Sequence, residues 1–288
     1  MPNTVTWLLW LALAFAYSML TYNPAYLILL LIALSTVAVV RKQPVKTYMK
    51  IGLLVSIMPL LVNIFLVHSG NTVLYRIPRH IPMFGLNIPL LFLSGPVTLE
   101  SVGMGAIMAL LLVDMLVAFQ VFNSQTTPDS LVNIIPSCIT SISMTGLIAL
   151  RFIPTVTQDF TSIRDAQKSR GFKFDDGSLS ERLSNNISLL LPTLVTSLER
   201  GFNLSESMAA RAYSGRRSRY RTLRWTNADR MISLAYASSL LTLVYLKFSG
   251  SMYFWPYESM ALPAFNVIAL IPAAVLLLPA LTYNGKRG

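Results

Sequence analysis

Residues 25–40 read AYLILLLIALSTVAVV, and two cations, Arg41 and Lys42, follow them directly. The sixteen residues carry no charge, and their number is near the ~20 residues with which an α-helix crosses a bilayer. Tyr22-Asn23-Pro24 precedes them and has the composition of a turn. This stretch therefore predicts a membrane-spanning helix between a tight turn and a basic link.

Apolar stretches of similar length recur along the chain, and each predicts a further membrane span: Trp7–Leu20, Ile51–Val67, Ser101–Phe122, Met231–Phe248 and Pro263–Tyr283. Together they predict an all-α polytopic membrane protein with about six transmembrane helices. The first stretch lacks a basic n-region and a small-residue cleavage site, so we expect a retained span rather than a signal peptide.

The composition agrees with a chain that is solvated mainly by lipid. Hydrophobic residues make up 54% of the 288 residues and charged residues 12%, whereas soluble proteins carry about 25% charged residues. The formal net charge of +11 would suggest nucleic acid in a soluble protein. In a membrane protein it follows from the basic bias of cytoplasmic loops, so no nucleic-acid partner is expected. The single cysteine, Cys138, excludes an internal disulfide and a multi-cysteine metal site.

Loop charge predicts the orientation of the spans. Arg41, Lys42, Lys46 and Lys50 lie in the link between the second and third spans, which places that link in the cytoplasm. Counting crossings from there puts both termini in the cytoplasm and the proline-rich loop 68–96 outside.

One uncharged stretch, Leu131–Leu150, is long enough to cross the membrane but contains many small and polar residues. If it crossed, the arginine-rich residues after it would lie outside, against the charge rule. We therefore expect a helix that packs at the membrane face without crossing. The resulting division is 1–128 (N-terminal transmembrane helices), 129–230 (cytoplasmic or membrane-face helices) and 231–288 (C-terminal transmembrane hairpin).

Residues 151–230 contain fourteen Lys or Arg residues against eight Asp or Glu residues, and they carry a weak internal repeat. Ile153-Pro154-Thr155 is echoed by Leu191-Pro192-Thr193. An arginine next to small residues follows each proline, sixteen residues later in the first copy (Arg170) and nineteen later in the second (Arg211). A guanidinium holds a carboxylate by two parallel hydrogen bonds, so the pattern suits docking to an acidic groove. The alternative is that these arginines meet lipid phosphates or the chain's own acids, such as Asp165 or Glu206.

Helix signals accompany both copies of the repeat. In the first, Ile163, Ala166 and Arg170 share one helical face, and Gly171 stands where a left-handed cap would end the helix. In the second, Asn203 with Glu206 resembles a capping box at a helix start, and Gly215 would close that helix.

These residues resemble the transmembrane T component of energy-coupling-factor transporters, the EcfT/CbiQ family of prokaryotic ABC-type importers. Arg151–Pro154 with Ala166–Gly171 is similar to the family's first coupling-helix signature, and Leu191-Pro192 with Glu206–Tyr213 is similar to the second. Thr126–Asp129 also fits the family pattern, and the resemblance covers roughly residues 97–230. The family's Ala-Arg-Gly reads Ser169-Arg170-Gly171 in the first copy and Ala210-Arg211-Ala212 in the second, which lacks the glycine.

The resemblance implies a multi-pass subunit of the prokaryotic cell membrane that binds no cofactor or metal and has no catalytic residue. Its partners would be two cytosolic ABC-type ATPases, a substrate-binding membrane subunit and the lipid bilayer. Arg170 and Arg211 would dock the ATPases, and small neighbours would permit close approach: Ala166, Ser169, Gly171, Ala210 and Ala212. The imported substrate would be a vitamin or a transition metal.

Two alternatives stay open at this point. Asp114 lies in the middle of the fourth predicted span, where an unpaired charge costs about 2.5–3.5 kcal/mol. It would be either the coupling acid of a secondary transporter or, as the resemblance favours, a residue hydrogen-bonded to a Ser or Asn of a neighbouring span. The other alternative is a membrane scaffold that recruits a different cytosolic partner. His68 and His80 are expected to be loop residues, and no phosphate-binding Gly-rich Lys motif is present.

Overall fold

The chain is described by a computed structural model with two compact units, one formed by Met1–Thr127 with Leu223–Gly288 and the other by Pro128–Thr222. The residues described are 3–76, 80–83, 86–89, 95–132, 134, 140–172, 174, 178, 180, 186–211, 225–250 and 266–281. The predicted three-part division at residues 128 and 230 stays a prediction.

Helices make up most of the described chain, which confirms the predicted all-α class. In chain order they are α1 (Thr4–Leu20), α2 (Pro24–Val40), α3 (Val45–Leu66), α4 (Leu99–Gln125), α5 (Pro128–Val132), α6 (Thr140–Ser169), α7 (Leu190–Ala210), α8 (Asn227–Phe248), a 3₁₀ turn (Val267–Ala269), α9 (Leu270–Val275) and α10 (Leu278–Leu281). Helices α5, α6 and α7 belong to the second unit, and the others to the first.

Three helices of the described residues are long and apolar enough to cross a membrane: Thr47–Leu66 within α3, α4 and α8. They match the third, fourth and fifth predicted spans. The first two predicted spans are the shorter apolar helices α1 and α2, of 17 residues each. The total of six spans stays a prediction.

Local capping sets the ends of α2, the helix that decided the fold class. The Asn23 side chain accepts a hydrogen bond from the Ala25 N–H at 3.0 Å, and Pro24 has no backbone N–H that would need an acceptor. At the other end Lys42 adopts a left-handed φ of 56°, and the Gln43 N–H returns to the Ala38 carbonyl at 3.0 Å. This is a Schellman ending, so the helix stops where the basic link begins.

One end of the first unit gathers the start of α1, the ends of α2 and α4, and the start of α8. The Asn3 N–H donates to Asp229 Oδ1 at 3.3 Å. The Arg41 guanidinium donates to the Pro279 carbonyl at 2.9 Å and to Gln125 Oε1 at 3.4 Å. Successive helices therefore alternate in direction, as the predicted crossings require.

The opposite end of this unit joins the α1–α2 turn to the end of α8 and to the residues before α9. Tyr17 Oη donates to the Ala269 carbonyl at 3.1 Å, and Tyr26 Oη donates to the Asn266 carbonyl at 3.1 Å. The Lys247 ammonium lies 5.9 Å from the centre of the Tyr22 ring. These contacts hold the residues before α9 against α1 and α2, and the end of α8 against the turn between them.

Helix α4 contacts α1, α2 and α3. Its packing against α3 depends on Gly105, which has no side chain. A Cβ added at Gly105 would lie 3.2 Å from the Leu60 carbonyl oxygen and 3.3 Å from Leu60 Cα. The backbones of α3 and α4 therefore approach each other as closely as only glycine allows, a packing used widely between membrane helices.

The loop between α3 and α4 contains short strands that the sequence did not predict. β1 (Val73–Arg76) pairs antiparallel with β4 (Pro96–Thr98), and β2 (His80–Met83) pairs antiparallel with β3 (Leu86–Pro89). Prolines are tolerated because every strand of a two-stranded sheet is an edge strand. The buried Glu100 carboxylate ties the loop to α4 by accepting from the Thr72 hydroxyl at 2.6 Å and from the N–H groups of Asn71 and Thr72.

The last predicted span, 263–283, is not one continuous helix in its described part, residues 266–281. Pro279 has no N–H to offer the Val275 carbonyl, so the helix stops at Val275 and resumes at Leu278. Between the two pieces the Leu276 carbonyl accepts a hydrogen bond from the Trp10 indole at 3.0 Å. The Ala280 N–H donates to the Leu277 carbonyl instead, so the contact with α1 satisfies a carbonyl that the interrupted helix leaves unbonded.

The prediction of a single helix over Leu131–Leu150 was wrong. Helix α5 ends at Val132, and α6 begins at Thr140 and continues to Ser169. Between the two helices the structure describes Ile134, which lies in a turn, while residues 133 and 135–139 lie outside the described residues. The uncharged residues 140–150 are consequently the first part of the same helix that leads to Arg170.

Candidate partner-docking site

Helix α6 ends at the first motif in the way that the sequence predicted. Gly171 has a φ of +90°, and its N–H donates to the Lys168 carbonyl at 3.0 Å. The Phe172 N–H donates to the Gln167 carbonyl at 3.2 Å. These are the two bonds of a Schellman motif, so Gly171 is confirmed as the left-handed cap and Arg170 is the residue at which the helix ends.

The first motif lies on the surface of the second unit. Arg170, Ala166 and Ser169 are exposed, and the Ser169 hydroxyl is turned back onto the Asp165 carbonyl at 3.0 Å. A Cβ at Gly171 would meet nothing within 4 Å, so space around it is open. The predicted face is only partly exposed, since Ile163 is half-buried. A partner would therefore meet the last turn of α6, with a guanidinium at its end and small side chains beside it.

Alanine at Gly171 is expected to loosen the last turn of α6 by about 1–2 kcal/mol, the cost of the left-handed conformation for a residue with a Cβ. Hydrogen exchange measures this directly, because the amides of Gly171 and Phe172 should exchange roughly fivefold faster or more. Gly201→Ala is the matched control, since Gly201 lies inside α7 and a Cβ added there would have nothing within 4 Å. Alanine at position 201 should stabilise α7 by up to about 1 kcal/mol, because alanine favours the helix more than glycine does, and should slow exchange there. Unchanged exchange at Gly171 would contradict the cap.

The second motif ends α7, although that helix starts much earlier than predicted. Asn203 was expected to be an N-cap, but it lies inside α7, which begins at Leu190. The apolar residues from Leu190 onward supply a helical face that continues the chain through Asn203, so the local capping signal does not act. Arg211 is the C-cap, and its N–H donates to the Ser207 carbonyl at 3.3 Å. Arg211 and Ala210 are exposed, whereas Ala212 and Gly215 lie outside the described residues.

A shallow hollow of about 300 Å³ leads along α7 toward this second motif. Its lining residues repeat at helical spacing on one side of the helix: Gly201, Leu204, Ser205, Met208 and Ala209. Small side chains at three of these positions keep the surface low just before Arg211. That Ala210 and Ala212 beside the arginine let a partner approach the helix stays a prediction.

An ion pair between α6 and α7 was missed by the sequence reasoning. Arg200 Nη1 lies 3.0 Å from Asp159 Oδ2, and Arg200 Nη2 donates to Asp159 Oδ1 at 3.2 Å. Nothing local identifies Arg200 or Asp159, because 41 residues separate them. One signal was available. Asp159 precedes Arg170 by the same number of residues as Arg200 precedes Arg211.

Asp114 is fully buried in α4, and the expected hydrogen bond to a neighbouring Ser or Asn is absent. Neither carboxylate oxygen has a hydrogen-bond partner within the described part of the chain. The packing of α4 against its neighbours therefore encloses this side chain without satisfying it. Asp229 in α8 offers a contrast, since its carboxylate accepts from Asn3 and from both the N–H and the hydroxyl of Thr226.

The isosteric changes Asp114→Asn and Asp229→Asn should act in opposite ways on thermal stability. Asp114→Asn loses no hydrogen bond and should leave the melting temperature unchanged or higher. Asp229→Asn loses part of a capping box, which should cost about 1–2 kcal/mol. Thermal unfolding of the detergent-solubilised chain measures both. A destabilisation by Asp114→Asn equal to that of Asp229→Asn would show that Asp114 has a structural partner after all.

Within the described ranges, no cluster of three or more His, Cys, Asp or Glu side chains could hold a metal ion. His68 lies after α3, and His80 is in β2, where it pairs with Pro89.

The fold and the site thus define a polytopic helical membrane protein with a separate helical unit that presents two arginines at helix ends. Residues 2–222 match the CbiQ family, described as "Cobalt transport protein". The match covers well over half of the chain, and the protein belongs to this family. The predicted family resemblance is confirmed.

Individual relatives carry the name "Energy-coupling factor transporter transmembrane protein EcfT". The protein of Lactobacillus helveticus is 41% identical over 105 residues, 36% of this chain and 38% of the relative. That of Listeria innocua is 44% identical over 98 residues, 33% and 37% of the two chains. That of Acidaminococcus fermentans is 31% identical over 163 residues, 52% and 61% of the two. The chain thus spans about two fifths of the length of the first relatives it matches.

Proposed function

We propose that this protein is the transmembrane coupling subunit of an energy-coupling-factor ABC importer, with Arg170 and Arg211 as docking contacts for two cytosolic ATPases. The observation that carries the proposal is the placement of both arginines. Each ends a helix of the same unit, each is exposed, and small residues precede each of them. A cation at a helix C-terminus is also favoured by the helix dipole. Two equivalent basic ends suit two equivalent acidic grooves.

In this mechanism the chain transmits motion and hydrolyses nothing. Closure of the ATPases on ATP would displace α6 and α7, to which the docking arginines belong. The displacement would pass through the chain to a substrate-binding subunit in the membrane and reorient it. The imported substrate would be a vitamin or a transition metal, and the description of the family, "Cobalt transport protein", supports the metal.

The proposed membrane orientation rests on the gathered helix ends of the first unit. Arg41 lies at the same end of the unit as Asn3, Gln125 and Asp229. Two exposed cations come next in the sequence, Lys42 after Arg41 and Arg230 after Asp229. Cytoplasmic ends of membrane helices carry such cations. We therefore place this end in the cytoplasm, together with both termini.

Affinity co-purification of the tagged full chain from its native host, followed by mass spectrometry, tests the proposal. Two ABC-type ATPases and a small hydrophobic membrane protein should co-purify, and the latter would indicate the substrate. A different cytosolic protein in their place would favour a membrane scaffold and contradict the coupling function.

A secondary transporter is the second candidate, and Asp114 is the observation that favours it. A fully buried carboxyl without a hydrogen-bond partner in the described residues is the kind of group that proton-coupled transporters use. Recovery of the chain without any ATPase, together with loss of uptake in Asp114→Asn, would support this candidate. Uptake that survives Asp114→Asn is expected for the coupling subunit.

A further inference from the structure

The Asp159–Arg200 ion pair joins the two helices that end in the docking arginines. One contact is a hydrogen bond from Arg200 Nη2 to Asp159 Oδ1 at 3.2 Å, and the other is a charge contact of 3.0 Å between Arg200 Nη1 and Asp159 Oδ2. The side chains expose 21% and 35% of their surface, yet the two atoms of the shorter contact, Asp159 Oδ2 and Arg200 Nη1, are buried. Shielding from water strengthens such a pair relative to one on the open surface. The hydrogen bond, together with the second charge contact, also restricts how the two side chains are oriented.

The register of this pair relative to the motifs is the same on both helices. Asp159 lies eleven residues before Arg170, and Arg200 lies eleven residues before Arg211. Eleven residues are close to three helical turns of 3.6 residues each. Asp159 and Arg170 therefore differ by only about 20° around the axis of α6, and Arg200 and Arg211 differ by the same angle around the axis of α7. Each docking arginine therefore continues the helical face that carries one half of the ion pair.

Within the described part of this unit, α7 buries little apolar surface, so apolar packing by itself holds the helix only weakly. Leu194, Leu198 and Phe202 are each more than half exposed, and Thr193 is the only residue of α7 that is buried. On the inward side of α7, Ser197 and Leu204 flank Arg200 and are half-buried. A helix with so little buried surface is poorly restrained against rotation by packing. A directional contact such as the Asp159–Arg200 pair supplies the restraint.

We propose that Asp159 and Arg200 are positioning residues that fix the rotation of α6 and α7 where the two helices contact each other, and thereby present Arg170 and Arg211 in one geometry to the ATPases. The inference rests on the proposed docking role of those arginines. Breaking the pair leaves both arginines in place but lets their directions vary. Affinity for the ATPases should then fall, although no contact residue has changed.

The first measurement needs no ATPase. Spin labels are attached to the full chain in detergent at Asp165→Cys and Glu206→Cys, in a Cys138→Ser background, and their separation is measured by pulsed electron resonance. Both label sites are exposed, and each lies five residues before its docking arginine. Asp159→Asn and Arg200→Gln should each broaden the distance distribution. The charge swap Asp159→Arg with Arg200→Asp should narrow it again, and Glu199→Gln, a neutralised exposed neighbour, should leave it unchanged.

The second measurement is ATPase affinity of the unlabelled variants. Each single change should weaken binding about tenfold, a typical coupling for residues in direct contact, and the swap should restore it. A distribution that stays narrow in both single variants overturns the inference, and so does a swap that fails to narrow it. The two roles can also be told apart. If the single variants broaden the distance distribution but the wild-type chain binds no ATPase, the docking function is refuted and the helix-positioning role stands.

Discussion

Replacing Arg170 or Arg211 with alanine is expected to weaken ATPase binding by about 2–5 kcal/mol, roughly 30-fold to several thousand-fold in Kd. The size follows from docking against acidic groups, because an arginine removed from such a contact leaves a carboxylate desolvated and unpaired. Both arginines are exposed at the ends of their helices, so the fold itself should survive their loss. The double variant should release both ATPases. Binding of purified ATPases to the detergent-solubilised chain measures the effect.

Arg230→Ala is the matched control for this experiment. Arg230 is an exposed arginine on α8, in the first unit, and it belongs to neither motif. Its removal changes the net charge by the same amount, so an equal loss of binding would point to general electrostatic attraction. Lysine replacements add a second comparison, because lysine keeps the charge but not the two parallel hydrogen bonds. Wild-type affinity in both Arg170→Ala and Arg211→Ala would refute the docking proposal.

Gly105→Leu is expected to cause the largest loss of stability among changes in the membrane helices. The first atom of the new side chain would lie 3.2 Å from the Leu60 carbonyl oxygen, and the remaining carbons would have to enter the backbone of α3. Overpacking of this kind costs about 3 kcal/mol or more when the obstacle is main chain, because backbone cannot change rotamer to make room. The melting temperature should fall by on the order of 10 °C.

The neighbouring Ala106→Leu controls for the insertion of a large apolar side chain into α4. Ala106 is exposed on the same helix, one residue further along. A leucine there projects away from the other helices and should change the melting temperature little. If Ala106→Leu and Gly105→Leu were equally destabilising, the close approach of α3 and α4 would not be the cause.

Features set by neighbouring residues were predicted well. The apolar stretches in α2, α3, α4 and α8 predicted helices because burying backbone polar groups in lipid requires internal hydrogen bonds. Gly171 was predicted as a cap because the left-handed conformation excludes most other residues. The docking roles of Arg170 and Arg211 were predicted from the same local pattern and stay predictions until binding is measured.

Predictions made from a few neighbouring residues failed where residues further along the chain determined the structure. The cap predicted at Asn203 did not form, because the apolar residues from Leu190 onward continue a longer helix through it. The helix predicted over Leu131–Leu150 was interrupted, and its second half became part of α6. In the C-terminal residues, Trp10 satisfies the Leu276 carbonyl at the break between α9 and α10, a partner 266 residues away.

The sequence by itself determined that this protein is a helical membrane protein of the CbiQ family and where its two arginine motifs lie, because hydrophobicity, charge and glycine act on the nearest residues. Tertiary structure alone decided that Asp159 pairs with Arg200, that Asp114 is enclosed without a partner among the described residues, and that Gly105 lies against the backbone of Leu60. Each of these depends on which helices meet and in which rotation. That outcome is set by the packing of the whole unit, so no short stretch of sequence contains it.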